Sequence, residues 1–239
     1  MNQKPKGVHI MKGLQAKGIA RRNKMLYAAV QLFLENGYEG TTTSQISKAA
    51  GMSATSFFAA FENKEALLLA LVKVMFTGQF EQAKAFANTD DPVLMYCIET
   101  ALQIHITELS EPLREVYVKA YSLPSTSEYI YRSTAKQLKA IFGSYMGDAD
   151  DKDYYEMDIA SSSIMRGFMA RPCDVYFTVD LKLKRFLDCC LKLYNVPEEK
   201  RKEMTQKVLS IDLATIARKL IEEVVKRAEK GFEQAMGSK

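Results

Sequence analysis

The sequence predicts an all-α protein, and three observations lead to this fold class. Apolar residues recur at helical spacing along the 239 residues, with no alternating run of the kind that forms strands. Clusters of Gly, Pro, Asn and Asp interrupt this pattern at intervals of ordinary helix length. The chain is also 47% hydrophobic, which is enough to bury a core. We expect a small N-terminal three-helix unit followed by a larger helical domain.

The first helix is expected over residues 17–35. Its apolar face is a stripe at i, i+3, i+4, i+7 and i+8: Leu26, Ala29, Val30, Phe33 and Leu34. Asn36 and Gly37 supply a C-terminal stop signal. Residues 1–16 carry three lysines around isolated apolar residues, and we expect them to form a basic N-terminal arm.

The second helix begins at a capping box. The Thr42 hydroxyl is placed to accept from the backbone of Gln45, whose side chain reaches back to the backbone of Thr42. A short helix through Ile46 to Ala50 is expected to follow.

The third helix is expected over residues 54–61, after a turn formed by Gly51, Met52 and Ser53. Gly51 tolerates a left-handed conformation, and Ser53 is a suitable N-cap. Its phenylalanines at positions 57, 58 and 61 offer a face for burial. Two short helices joined by a turn with Gly form a helix-turn-helix, here over about residues 42–61.

A long helix should begin after Asn63, which is a good N-cap. The three-helix unit thus covers residues 17–64, and residues 65–239 form the second domain. Pro and Gly signals divide that domain into further helices near residues 92–109, 112–122, 125–146, 152–170, 178–194 and 198–208, with a last helix from about 210.

Positive charge is concentrated in the first quarter of the chain. Residues 1–64 contain nine Lys or Arg against three Glu, a net charge of +6, which leaves −2 for the remainder because the total is +4. A basic module attached to a slightly acidic body fits a polyanion that binds the module, and a solvated lysine-rich tail would give the same distribution of charge.

Several classes of protein fit poorly. No apolar run is long enough to span a membrane, and the N-terminus lacks a signal-peptide core, so we expect a cytoplasmic protein. The four cysteines make no framework suited to a secreted scaffold. Two histidines and no Gly-rich phosphate loop give an enzyme little to start from, and we expect neither catalysis nor a cofactor or metal.

One long run of residues matches a known pattern of types and spacings. The run contains Ala28, Ala29, Leu32, Phe33, Gly37, Tyr38, Thr41, Thr42, Ile46, Ala50, Gly51, Met52 and Ser53, followed by Phe57, Phe58, Phe61, Asn63, Lys64, Glu65, Leu67 and Leu68. In these residues the sequence resembles the tetracycline-repressor (TetR) family of transcriptional regulators. The resemblance implies a homodimer that binds palindromic double-stranded operator DNA and responds to a small-molecule effector.

The resemblance also assigns DNA-binding residues. Hydroxyls and positive charge at helix starts are expected to bind phosphates, through Thr42, Thr43, Ser53 and Lys64. We also expect the N-terminal cations to add attraction along the DNA backbone, through Lys12, Lys17, Arg21, Arg22 and Lys24. The recognition surface comprises Ala54, Thr55, Ser56, Phe58, Ala59 and Ala60. Family members usually carry Tyr at position 58, where its hydroxyl contacts a phosphate. This surface offers no Arg, Lys, Asn or Gln for a bidentate base contact, so affinity must depend on phosphate contacts and DNA shape.

The resemblance places a ligand pocket among the helices of residues 92–146 and a dimer interface in residues 152–194. Candidate ligand-binding residues are Tyr96, His105, Tyr117 and Tyr121, which would suit a small, partly apolar ligand. Two alternatives remain open. The cysteines with His105 could make a metal or redox sensor of the same fold, and Phe58 with Ala59 and Ala60 would also suit an interaction module with weakened DNA binding.

Overall fold

A computed structural model describes the backbone of residues 6–87 and 89–237, and the side chains of residues 18–75, 89–231 and 233. Within these ranges the chain forms α-helices joined by turns and contains no strand, so the all-α prediction is confirmed. The helices are α1 (Lys6–Asn36), α2 (Thr43–Ala49), α3 (Ala54–Phe58), α4 (Lys64–Ala87), α5 (Pro92–Leu109), α6 (Glu111–Ala120), α7 (Pro124–Met146), α8 (Asp151–Ala170), α9 (Val179–Leu193), α10 (Glu198–Leu209) and α11 (Leu213–Gly237). None of the helices described combines the length and apolar character needed to cross a bilayer.

Two differences from the predicted helix bounds affect the N-terminal unit. Helix α1 begins at Lys6 rather than near residue 17, because the preceding Lys, Met, Leu and Gln residues favour helix and the glycines only weaken it. The predicted arm over residues 1–16 is therefore helical from Lys6, and its first five residues lie outside the described range. Helix α3 ends at Phe58 rather than at position 61, and Ala59 and Ala60 form a turn instead.

The chain divides into two compact units. Unit 1 comprises Met1–Leu67 and Glu222–Lys239, and unit 2 comprises Leu68–Ile221. The sequence predicted residues 65–239 as one domain, and in the structure the contacts of the C-terminal segment group it with the helix-turn-helix.

The close approach of α11 to α1 within unit 1 explains this assignment. Gly231 lies so near the Tyr27 ring that an added Cβ would overlap it, at 2.6 Å from the Tyr27 hydroxyl oxygen. Glycine permits the contact because it has no side chain. Ala228, one helical turn earlier, is buried.

The core of unit 1 is built from the apolar faces of α1, α2 and α3. Its fully buried side chains are Met25, Ala29, Phe33, Ile46, Phe57, Phe61 and Leu67. The segment after α1 is fixed by Thr41, whose buried hydroxyl donates to the carbonyl of Gly37 at 2.8 Å and of Leu32 at 3.1 Å. This core holds α2 and α3 in place.

Helix α5 is the centre of unit 2. It packs against α6, α7, α8, α9 and α10, and its residues are buried on nearly all sides. A buried ion pair at its C-terminal end joins Glu108 to Lys182 of α9 at 2.5 Å, and Lys182 also donates to the carbonyl of Arg171. Helices α7 and α8 cover another side of α5 and supply one wall of a partly open cavity.

Candidate functional site

The N-terminus of α2 has the predicted capping box, which is confirmed in both directions. Thr42 Oγ1 accepts from the Gln45 backbone N–H at 3.2 Å, and the Thr42 backbone N–H donates to Gln45 Oε1 at 2.7 Å. Thr42 is exposed and Thr43 is half-buried, so both lie at the surface end of this helix. The capping box fixes where the helix-turn-helix begins.

The turn between α2 and α3 depends on one left-handed glycine. Gly51 has φ of 68°, a value that residues with side chains rarely adopt. The Met52 N–H donates to the carbonyl of Ser47 at 2.8 Å, which closes the end of α2. The chain therefore reverses within three residues, as the sequence predicted.

The start of α3 presents a cluster of three hydroxyl groups. Ser53 occupies the N-cap position with extended backbone, but its hydroxyl does not cap a backbone N–H. Instead Ser53 Oγ lies 2.9 Å from both Thr55 Oγ1 and Ser56 Oγ. The predicted N-cap position is confirmed, whereas its expected side-chain bond is replaced by this cluster.

The two faces of α3 differ sharply. Phe57 is completely buried, whereas the Phe58 side chain is 63% exposed, and Ala54, Thr55 and Ala59 are exposed beside it. Adjacent helical residues point about 100° apart, so Phe57 faces the core while Phe58 faces outward. The prediction from the phenylalanine pattern that Phe58 is buried is wrong, and its assignment to an outward surface fits the structure.

Two cationic side chains stabilise unit 1 by donating hydrogen bonds to backbone carbonyl oxygens. Lys64 Nζ donates to the carbonyl oxygens of Tyr38 at 2.7 Å and Thr41 at 2.9 Å. Arg22 of α1 donates to the carbonyl of Ala60 at 2.8 Å, with its guanidinium 4.1 Å from the centre of the Phe61 ring. Both were predicted to attract DNA, and the structure gives each a partner within unit 1. The Lys12 and Lys17 side chains lie outside the described residues.

The candidate ligand residues separate into two pairs. Tyr96 and Tyr121 line a partly open cavity of about 40 Å³ in unit 2, whereas His105 and Tyr117 are not among its lining residues. Burial lowers the pKa of His105, against the opposing charges of Asp180 and two other acids. Tyr117 is buried, which raises its pKa well above the usual value.

Sequence reasoning missed the two acids in this cavity. One is Glu99, which is 5% exposed and accepts from Gln103 Nε2 at 2.6 Å. Tyr121 extends this chain by donating to Gln103 Oε1 at 2.8 Å. Burial raises the pKa of Glu99 to about 7, the Gln103 hydrogen bond opposes this shift, and the charge of Asp158 adds to it.

The second acid is Asp158 of α8, which is also 5% exposed. Its carboxylate accepts from the hydroxyls of Ser161 at 3.0 Å, Ser162 at 3.1 Å and Thr134. Burial raises its pKa, and the three hydroxyl donors oppose the change. A polar residue on the buried face of each amphipathic helix was the available signal, because buried acids in a core require an explanation.

Aromatic rings complete the surroundings of the cavity. The rings of Phe142 and Tyr194 stack at 4.2 Å with an interplanar angle of 1°, and Tyr96 meets Phe142 edge to face at 5.0 Å. The Tyr194 hydroxyl lies 2.9 Å from Ser161 Oγ, which connects this stack to Asp158. The cavity is thus lined by aromatic rings, hydroxyls and two carboxyl groups.

The cysteines are reduced and show little sign of reactivity. Cys97 and Cys190 are buried, which raises the pKa of both thiols and disfavours the nucleophilic thiolate. Cys173 and Cys189 are half-buried. In the described part of the chain, no group of three or more His, Cys, Asp or Glu side chains is arranged to hold a metal ion.

Comparisons with known proteins agree with this geometry. Residues 25–71 match the family described as bacterial regulatory proteins of the tetR family. The solved structure of SmeT, the repressor of the Stenotrophomonas maltophilia multidrug efflux pump SmeDEF, resembles this fold with a TM-score of 0.51 and 20% sequence identity. The match covers 74% of this chain and 96% of the SmeT chain. No curated protein matches the sequence significantly.

Proposed function

We propose that this chain is a DNA-binding transcriptional regulator of the TetR type, which represses transcription as a homodimer and leaves its operator when a small molecule binds unit 2. The observation that carries the DNA-binding half is the outward face of α3. A capped α2 and a buried Phe57 hold this face rigidly, and it projects from the most basic quarter of the chain. In a helix-turn-helix, this second helix enters the major groove.

The contacts follow from the chemistry of the exposed groups. Hydroxyls at the two helix starts, on Thr42, Thr43 and Ser53, are suited to phosphate oxygens. The α3 surface formed by Ala54, Thr55, Ser56, Phe58 and Ala59 offers methyl, phenyl and hydroxyl groups, which suit thymine methyls and polar base edges. Lys64 acts on this surface indirectly, by holding the segment before α2.

A binding assay with one substitution in the proposed groove face tests this assignment. Thr55→Ala should change the sequence preference of the protein in a selection from randomised DNA. Ser144→Ala, which removes an exposed hydroxyl from α7 in unit 2, is the matched control and should leave the preference unchanged. Identical preferences for wild type and Thr55→Ala would show that α3 does not read the bases.

The proposed dimer uses the exposed side of α8. Ile159, Ser163 and Gly167 recur at intervals of four residues on that side, and Ile159 is 38% exposed. On α9, Leu181 is 48% exposed. Small and apolar residues on adjoining helices favour close helix packing across a two-fold axis, which would place two recognition helices one DNA turn apart.

Effector release requires coupling between the two units. Helix α4 belongs to both, with Lys64–Leu67 in unit 1 and the rest in unit 2, so a change in its direction is a route for that coupling. Such coupling is typically about 5- to 150-fold in affinity. Inserting Gly-Gly near Met75 should preserve DNA binding and effector binding separately but abolish release. Undiminished release by that variant would exclude α4 as the route.

A further inference from the structure

We infer that the cavity of unit 2 binds a compact organic ammonium ion, whose charge is balanced by Glu99 and Asp158. This inference rests on the proposed function, because it names the chemical class of the effector. The geometry behind it is the placement of two buried carboxyl groups on one small cavity, Glu99 from α5 and Asp158 from α8.

Neither carboxyl group has a cationic partner among the residues that the structure describes. Elsewhere in unit 2, shielded acids are paired: Glu108 with Lys182 at 2.5 Å and Asp91 with Lys200 at 2.7 Å. No Lys, Arg or His of the described chain forms a salt bridge with Glu99 or Asp158. A buried ionised carboxylate without a counter-charge is strongly unfavourable, so a cation from outside the chain would relieve that cost.

One oxygen of Glu99 is available to such a cation. Oε1 accepts from Gln103, whereas Oε2 has no hydrogen-bond donor among the described residues. The oxygens of Asp158 are occupied by three hydroxyl donors. Glu99 therefore offers the direct contact, and Asp158 contributes negative charge from a fixed position.

The remaining lining favours an alkylated nitrogen. Tyr96, Tyr121 and Phe186 contribute aromatic rings, which attract ammonium groups through their negative faces. Ile130, Leu138 and Met165 contribute apolar surface for methyl groups. None of the residues lining the described cavity is Lys, Arg or His, so an anionic effector would meet repulsion there.

The size of the cavity sets the size of the ligand. The cavity has a volume of about 40 Å³, well below the roughly 300–1,000 Å³ of pockets that bind drug-sized ligands. A trimethylammonium head group is therefore closer to the available space than a drug-sized molecule. Larger cations would require the unbranched Met165 side chain or its neighbours to move.

Proton release gives this site a distinctive signature. Three titratable groups face Glu99. They are the Asp158 carboxyl from α8, the Tyr117 phenol from the last turn of α6, and the phenol of Tyr121, which directly follows α6. The phenols remain neutral near pH 7 because burial raises their pKa. Glu99, with its raised pKa, is partly protonated there, and a bound cation favours its ionised form. Binding should therefore release protons.

The test uses the full-length protein with choline as the probe. Its matched control ligand is the neutral alcohol in which a carbon atom replaces the quaternary nitrogen. Calorimetry in two buffers of different ionisation enthalpy should show that choline binds, that it releases protons near pH 7, and that the neutral alcohol binds at least tenfold more weakly. Equal binding of the two compounds, or no choline binding, would overturn the inference.

Matched variants identify the carboxyl groups responsible. Glu99→Gln should weaken choline binding at least tenfold and abolish proton release, and Asp158→Asn should weaken binding. Asp148→Asn, at an exposed position between α7 and α8, should change neither property. Circular dichroism confirms that each variant is folded. Wild-type affinity for choline in folded Glu99→Gln would exclude the assigned role.

DNA binding distinguishes this inference from the proposed function. If choline binds as expected but the protein stays bound to its operator, the assignment of the ligand is supported. The proposal that an effector releases the protein from DNA is then contradicted. If a neutral compound releases the protein by binding this cavity while choline does not bind, effector release stands and the cation assignment fails.

Discussion

The ammonium of Lys64 lies 2.7 Å from the carbonyl oxygen of Tyr38 and 4.1 Å from the centre of the Tyr38 ring. It thereby connects the start of α4 to the segment that precedes α2. Burial, with the nearby charges of Glu65 and Glu39, raises the pKa of the Tyr38 phenol to about 12, so the ring beneath the ammonium stays neutral at any ordinary pH.

Replacing Lys64 with Met should therefore destabilise unit 1. Loss of two charge-assisted hydrogen bonds to carbonyls costs about 2 kcal/mol. The measurement is amide hydrogen exchange in α1 to α3. Lys48→Met, which removes an exposed cation from α2, should leave exchange unchanged. If Lys64 instead contacted a phosphate, its loss would lower the salt dependence of DNA binding by about one unit while exchange stayed normal.

Phe58→Tyr should strengthen binding to DNA of any sequence. Position 58 is exposed on the proposed groove side, and a phenol there can donate to a phosphate. One added hydrogen bond is worth about 1 kcal/mol, or roughly fivefold in affinity. Fluorescence anisotropy with specific and random duplexes measures this effect. Phe58→Leu, which adds no donor, is the control, and a similar gain from it would contradict the explanation.

Glu99→Gln should change how stability depends on pH. The folded carboxyl has its pKa raised to about 7, so it holds a proton that the unfolded chain loses at lower pH. The protonated Glu99 carboxyl makes its full contribution to the free energy of unfolding below the pKa of the unfolded chain, near 4.5. That contribution is lost as the pH rises toward 7. Over this pH range the free energy of unfolding of the wild type should fall by on the order of 3 kcal/mol relative to that of the variant.

Urea unfolding of both proteins at several pH values between about 5 and 8 tests that expectation. Asp158 is present in both, so its own titration largely cancels in the comparison. Asp148→Asn serves as the control for an exposed carboxyl. Stability curves that run parallel across the range would show that Glu99 is ionised in the folded protein throughout.

Two glycines in unit 1 should respond oppositely to Ala. A Cβ at Gly231 would overlap the Tyr27 ring, and forcing the ring aside costs about 1–3 kcal/mol. A Cβ at Gly18 of α1 meets nothing within 4 Å, so Ala should stabilise that helix by up to about 1 kcal/mol. Thermal unfolding followed by circular dichroism measures both. A stabilised Gly231→Ala protein would show that α11 does not contact α1 there.

Gly167→Arg should produce monomers. A Cβ at Gly167 meets nothing within 4 Å, so the protomer can accept a long side chain, whereas a two-fold contact along α8 cannot. Light scattering at micromolar concentration should report a dimer for wild type and a monomer for this variant. Ser144→Arg places the same charge on the exposed surface of α7 and should remain dimeric. A monomeric wild type would refute the proposed interface.

Local patterns predicted the helix-turn-helix well because its signals lie close together in the chain. The capping box at Thr42 and the left-handed Gly51 each depend on neighbours within a few residues, and both are present. The phenylalanine spacing predicted burial less well at Phe58, because three phenylalanines within five residues do not reveal which of them faces the core. Only packing of Phe57 beneath the helix settles that choice.

The long-range features could not be read from local patterns. Gly231 and Tyr27 are separated by most of the chain, and nothing near either residue indicates their contact. The same is true of Glu99 and Asp158, which belong to helices separated by α6 and α7. The position of each acid on the buried face of its own helix is a local signal, but only the tertiary fold brings both onto one cavity.

The brevity of α3 limits how much information an operator can encode through it. Its five residues rise about 7.5 Å, which faces two or three base pairs at about 3.4 Å each. Two half-sites would then specify about five base pairs, a combination that recurs by chance about a thousand times among roughly 10⁶ genomic positions. Contacts from α3 to the bases would therefore not distinguish an operator from chance matches. The fixed interval between the half-sites and the width of the grooves between them must supply the remaining specificity. A genome search for its targets should therefore weight spacing and DNA shape above the identity of individual bases.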